Sequence, residues 1–156
     1  MPSKFTLKDK GLNDLIKAFK TKPKIRVGVL VAKNARNESD DTSDNVKIGA
    51  IHEFGQGNMP QRSFLRMPMV MELENKLNKS GVFDEKALKD VIADKSLMPW
   101  AQKVGAVGLD TVLEAFATDG FGQWPKSNMS RKSKKNKMTL VENGYLRDSI
   151  GWDVKK

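Results

Sequence analysis

The chain has no cysteine, one histidine and one tyrosine. Without thiols, disulfides and thiolate metal sites are excluded, and nothing asks for an oxidising compartment. With His52 as the lone histidine, Ser–His or zinc chemistry would have to run through that residue. No Gly-x-Ser-x-Gly elbow accompanies it, and no second histidine follows His52-Glu53 at zinc-binding spacing. His52 is therefore expected to be structural, a buried or half-buried imidazole hydrogen-bonded to backbone. Walker and dinucleotide fingerprints are missing as well. Asp40, Asp41 and Asp44 form an acidic cluster without the glycine and terminal glutamate of an EF-hand, so a solvated loop is expected. No apolar run approaches the roughly 20 residues of a membrane span, and the first residues carry no apolar signal-peptide core. The expectation is a protein made in the cytosol, with no cofactor, no metal and no membrane partner.

What is present is a moderate length and unevenly placed charge. A chain of 156 residues can bury about 68–70% of its unfolded surface, enough for a core without staples. One domain over residues 1–156 is expected, with exposed loops at about 33–44 and 120–138. The net charge is +9. Residues 1–36 hold ten Lys/Arg against two acids, residues 120–156 nine against three, and residues 37–119 nine against fourteen. Basic ends and an acidic middle favour a polyanion, or an acidic neighbour such as another copy of the chain.

Periodicity gives the elements. Phe5 and Leu7 alternate with polar residues as in a short strand. Leu12, Leu15, Ile16 and Phe19 put an apolar stripe on a helix from about Asp9 to Lys20, stopped by Lys22-Pro23. The alternating run Ile25, Val27, Val29, Val31 predicts a strand over 24–32. Asp44 can cap a short helix lined by Ile48, Ile51 and Phe54 and ended by Gly55. Gln56 to Pro60 reads as a turn and Arg62 to Arg66 as extended. Pro68 suits the first position of a helix with Met69, Val70, Leu73 and Leu77 inward and Glu72/Lys76 paired outside. A second helix follows Asp84, with Ala87, Leu88, Val91 and Ile92 as its stripe. The third is longer, with Leu97, Trp100, Ala101, Val104, Gly108, Thr111, Val112 and Ala115 on one face. Gly105 and Gly108 within it are expected to mark close approach of another backbone. Trp124-Pro125 makes a turn, Tyr145 to Ile150 one helical turn, and Ile150, Trp152 and Val154 a last strand. The sum is an α+β fold: a small mixed, mainly antiparallel sheet of three or four strands, packed with several helices including one long one.

Arg131-Lys132-Ser133-Lys134-Lys135-Asn136-Lys137 places five cations in seven residues. Such a run neutralises phosphates without sequence preference and with steep salt dependence. It carries no interleaved aromatics for base stacking. A solvated loop, a docking arm for an acidic protein and a DNA contact all remain open for it.

The motifs fall in a recognisable order: Val27-Gly28-Val29, then His52-Glu53-Phe54-Gly55, then Pro60 with Arg62-Ser63-Phe64-Leu65-Arg66. Trp124-Pro125 follows, and finally Leu140-Val141 with Gly144, Leu146-Arg147 and Ser149-Ile150. Over about residues 5–155 this resembles the tail completion, or head–tail joining, proteins of long-tailed phages. That family includes the minor tail protein Z group of lambda-like phages and the virion morphogenesis proteins of Mu-like phages. The family usually has Thr or Ser where this chain has Asn143, and proline often follows the second arginine directly, where Met67 here precedes Pro68.

The resemblance implies a structural, non-enzymatic virion protein made in the bacterial host's cytoplasm. It would form a ring at the neck, at the top of the tail, completing the tail and joining it to the DNA-filled head. Its partners would be itself and adjacent neck and tail proteins (connector or head-closure, tail terminator, tail tube), with non-specific contact to genomic DNA in the channel left open. Arg62, Phe64, Arg66, Arg131, Lys132, Lys134, Lys135, Lys137 and Arg147 are the candidate contacts to sister subunits or neighbours. Arg62 and Arg66 could equally brace the protein's own sheet. A small basic nucleic-acid-binding protein is the alternative, and a hydrolase using His52 and Glu53 a distant third.

Overall fold

A computed structural model describes residues 10–20, 22–30, 44–126, 139–141 and 144–155. Within these, β1 (Lys24–Val29) and β2 (Ile150–Lys155), from near the two ends of the chain, pair antiparallel. Lys24 stands opposite Lys155, and Val29 opposite Ile150. Because side chains alternate across a strand, Ile25, Val27 and Val29 share one face with Ile150, Trp152 and Val154. The opposite face carries Arg26 across from Asp153, and the two pair side chain to side chain.

The apolar face lies on α5 (Met98–Ala117), whose buried side is Ala101, Gly105, Gly108, Thr111, Val112, Ala115 and Phe116. A Cβ at Gly105 would fall 2.5 Å from the Trp152 ring, and one at Gly108 would fall 3.0 Å from Val27. The glycines admit close neighbours, as their position in the helix suggests. Those neighbours are sheet side chains, where the sequence reading expected backbone. The burial of Trp152 against the helix offsets the ~1 kcal/mol each glycine costs relative to alanine.

Beside α5 runs α3 (Arg66–Lys79). Met69 Cε lies 3.5 Å from the Cβ position of Gly108, and Lys76 pairs with Glu114. The contacts advance together along both helices, so α3 and α5 run parallel, with α4 (Glu85–Asp94) in the connection between them. Trp100 Nε1 donates to the Val82 carbonyl at 2.8 Å and fixes that connection to α5. α1 (Lys10–Lys20) rests on α4, with Ala18 buried and Asp14 2.9 Å from Lys95 Nζ. α2 (Asn45–Phe54) and the single turn α6 (Tyr145–Asp148) pack together, with Gly49 beneath both Phe64 and Leu146.

The core joins these elements through Phe64, Val112, Ala115, Phe116, Trp124, Val141, Leu146 and Ile150. Phe116 sits between two rings, 5.4 Å from Phe64 and 5.6 Å from Trp124, the latter edge-on. Tilted and edge-on pairs of this kind add about 0.5–1.5 kcal/mol each beyond area burial.

The α+β class and the one long helix agree with the sequence reading. Several details do not. Two strands form the sheet among the described residues, where three or four were expected; the Phe5–Leu7 strand, the 33–43 loop and the 127–138 segment lie outside them. α3 begins at Arg66, two residues before Pro68. Proline fits there because the first four N–H groups of a helix lack intrahelical partners anyway. Val70 faces outward at 79% exposure, and Lys76 turns to Glu114 on α5. On α2 the buried positions are Asn45, Gly49 and Glu53, while Phe54 is 66% exposed. On α4, Leu88 and Ile92 are exposed while Ala87 and Val91 are buried.

Candidate functional site

The His52–Gly55 and Arg62–Arg66 motifs meet at the α2–α3 junction. Asp44 starts α2, its carboxylate accepting the Lys47 N–H at 2.8 Å. Gly55 ends it at φ 76°, a left-handed value that favours glycine. A tight turn with a bridge between Gln56 and Met59 then reverses the chain. The returning segment is tied to α2 by the Arg62 N–H, which donates to the His52 carbonyl at 2.8 Å. His52 itself is half-buried.

That reversal brings the Glu53 carboxylate to the start of α3. Oε1 accepts from Ser63 Oγ at 2.6 Å and from the Arg66 N–H at 3.1 Å. Oε2 accepts from the N–H groups of Phe64 at 2.8 Å and Leu65 at 2.9 Å. Ser63 Oγ in turn accepts the Met67 N–H at 3.0 Å. The orphan donors of Leu65, Arg66 and Met67 are therefore all satisfied, and the next residue, Pro68, has none. Leu65 occupies the capping position but has no acceptor of its own; a carboxylate from another helix replaces it. The negative charge also lies at the positive end of the α3 dipole, where it is most stabilising.

Arg62 is buried beside this junction, its Nε donating to the Pro125 carbonyl at 2.9 Å. Burial pulls its guanidinium below its ordinary proton affinity, and the Asp119 charge opposes that shift. The Trp-Pro turn is placed by four consecutive left-handed residues, Asp119 to Gly122. Gly120 is required there, since a Cβ would fall 2.3 Å from the Trp124 ring. Trp124 Nε1 donates to the Ser63 carbonyl at 3.2 Å, and Asp119 Oδ1 accepts the Thr139 N–H at 2.9 Å. Thus the residues around 53–66, 119–125, 139–141 and 144–150 form one interlocked unit.

Of the candidate contact residues, Phe64 is a core ring at 1% exposure and Arg62 an internal brace. Arg62 braces the Trp-Pro turn, whereas the sequence reading offered the sheet. Arg66 is exposed, lies 5.8 Å from the centroid of the Phe54 ring and is 4.0 Å from Glu53. Arg147 pairs with the adjacent Asp148 at 2.8 Å. Arg131, Lys132, Lys134, Lys135 and Lys137 lie outside the described residues.

Chemically the junction is closed. Glu53 is an acceptor with two donors on each oxygen, as expected of a structural carboxylate. Among the described residues no group of three or more His, Cys, Asp or Glu is placed to hold a metal ion, and no helix is long and apolar enough to cross a membrane. The small space between α4 and α5, lined by Ala87, Asp90, Val91 and Trp100, has room for about one water molecule.

The open features are apolar. Leu12, Ile16 and Phe19 on α1 are 54%, 44% and 51% exposed. Their positions lie on the side of the helix opposite Asp14 and the buried Ala18, so these three residues of the expected stripe face outward. On α3, Val70 and Met71 are exposed, with the exposed Glu74 between them on the same face. Sequence reasoning did not find the role of Glu53 or the outward aim of α1. Comparison with protein-family models, with curated proteins and with solved structures gave no match.

Proposed function

We propose that this chain is a structural, non-enzymatic virion protein that forms an oligomeric ring at the phage neck, completing the tail and joining it to the DNA-filled head. The observation that carries the reading is where polar and apolar groups lie. The Glu53 and Ser63–Arg66 parts of the motifs behind the family resemblance are consumed in holding the α2–α3 junction, and large apolar side chains stand exposed on α1 and α3. A subunit built for assembly needs both: a rigid internal frame and apolar surface left for neighbours. The basic ends and acidic middle of the chain add electrostatic complementarity between copies.

The test is the protein's position in an image of the assembled particle. Density at the head–tail junction with rotational symmetry is the expected result. Its absence from purified particles, together with DNA binding that falls with salt and is lost on neutralising Arg131 to Lys137, would favour the small nucleic-acid-binding protein that the basic run suggests.

A further inference from the structure

We propose that the outward face of α3 pairs with the same face of a second copy of this chain, antiparallel about a two-fold axis at Val70. The inference goes beyond the ring reading and does not rest on it. A two-fold contact closes on itself at two copies and cannot propagate around a ring.

Spacing defines the face. Arg66, Val70 and Glu74 stand four residues apart and form one row along α3, with Met71 beside its centre. Met69 and Lys76, which meet α5, lie on a different side of the helix. Glu72 and Lys79, the remaining charges of α3, also fall off the row. Val70 is 79% exposed and the Arg66 side chain 62%, and Met71 and Glu74 are exposed as well.

The row carries its own complement. Its cation lies one turn before Val70 and its acid one turn after. When a second copy is turned end over end about Val70, Arg66 of each copy meets Glu74 of the other, and Val70 meets Val70. A parallel arrangement would set like charges together, so charge selects the antiparallel one. Rows of residues four apart are also the ridges that interlock in the commonest helix–helix packing.

Arg66 is prepared for such a contact. Its guanidinium lies 5.8 Å from the centroid of the exposed Phe54 ring, which steadies it. It stands 4.0 Å from Glu53, but each oxygen of that carboxylate already takes two other donors. The guanidinium therefore keeps its donors for an acid outside the chain. Phe54, Met71 and Arg66 are also residue types enriched at protein interfaces.

The other exposed apolar surfaces do not match themselves in this way. On α4, Leu88 and Ile92 are 48% and 38% exposed. The charges around them are answered within the chain, Glu85 by Lys89 and Lys95 by Asp14, which leaves the exposed Asp84 beside them. On α1, Ile16 and Phe19 stand with the exposed Lys17 and Lys20. Copies of that face would set lysines against lysines.

The contact is small. One helix row with Phe54 falls short of the ~800 Å² per partner of a stable pairwise complex. The pair is therefore weak and is best read by trapping it.

The absence of cysteine makes trapping direct. Chains carrying Val70→Cys are oxidised, and the disulfide-linked dimer is compared with that of chains carrying Leu88→Cys. The expected result is a Val70→Cys link several-fold more abundant. Adding Arg66→Glu or Glu74→Arg to Val70→Cys should each reduce the link several-fold, because like charges then face each other at both ends. Mixing the two charge variants should restore it, because opposite charges again face each other at both ends. The Arg66 N–H that Glu53 accepts is backbone and survives the change. Recovery on mixing also separates a lost contact from a lost fold. A Val70→Cys link no stronger than the Leu88→Cys link, one indifferent to the charge changes, or one not recovered on mixing overturns the pairing. A link between Val70→Cys and Phe19→Cys chains that exceeds the Val70→Cys self-link also overturns it, by assigning the α3 face to α1 of a neighbour. The neck reading is decided separately, by the presence or absence of the protein in purified particles, whichever way the cross-link falls.

Discussion

The α2–α3 junction and α1 place their side chains in opposite ways. At the junction a carboxylate is inside and a phenylalanine outside: Glu53 is 6% exposed and the next residue, Phe54, is 66% exposed. On α1 the outside belongs to Leu12, Ile16 and Phe19, and an alanine takes the inside. The two inversions have different causes. Glu53 is buried because four donors, three of them backbone N–H groups near the start of α3, require an acceptor that no local residue supplies. No such local demand accounts for the apolar side of α1. A polar group buried with its partners is a fold device, while an exposed apolar face is surface that the fold does not use.

The sharpest way to break this contrast is to remove the carboxylate. Glu53→Ala should strand Ser63 Oγ and the N–H groups of Phe64, Leu65 and Arg66 at a buried helix start. The expected loss is about 3–5 kcal/mol of unfolding free energy, read in a denaturant titration. Glu53→Gln should lose most of the same, because its amide nitrogen would turn a donor toward donors. If either variant unfolds like the native chain, the junction is not what holds α3 in place.

Next in size is the α5–sheet contact. Gly105→Ala would push a methyl into the Trp152 ring at 2.5 Å. Overpacking typically costs about 1–3 kcal/mol, against about 1 kcal/mol gained in helix propensity. A net loss of about 1–2 kcal/mol is expected in the same titration, with a change in Trp fluorescence. A stabilised Gly105→Ala would mean that Trp152 can move aside and that the glycine is not required there.

The sequence made some of this legible and hid the rest for physical reasons. The α5 stripe, the β1 alternation and the Asp44 cap follow from local patterns, and they fall where those patterns put them. Glu53 was hidden because its donors lie ten to thirteen residues further on, so no periodicity links them. Its neighbour His52 also invited attention to chemistry at the wrong atoms. For α1 the spacing of Leu12, Ile16 and Phe19 shows that they share a face; it carries no information about what the face meets. The start of α3 was misplaced because Pro68 tolerates any of the first helical positions.

On α1 itself, Ile16→Asp with Phe19→Asp should leave the unfolding free energy within about 0.5 kcal/mol of native, as for surface changes away from buried features. A large loss of stability would instead place these side chains in the fold and dissolve the contrast with Glu53.

The smallest effect belongs to the solvent side of the sheet. Arg26 and Asp153 pair across β1 and β2, both exposed. The hydrogen bond from Arg26 holds the Asp153 carboxyl below its ordinary value of 3.8. A carboxyl whose folded pKa is depressed contributes stability above its unfolded pKa and loses it as pH falls through the folded value. The difference in unfolding midpoint between the native chain and Asp153→Asn should therefore be level above about pH 5, shrink below pH 4 and close at lower pH. Added salt should shrink it throughout, because exposed pairs are screened. At the buried Glu53 the effect of substitution should survive the same salt. That pair of responses separates a carboxylate that decorates the sheet from one that holds a helix in place.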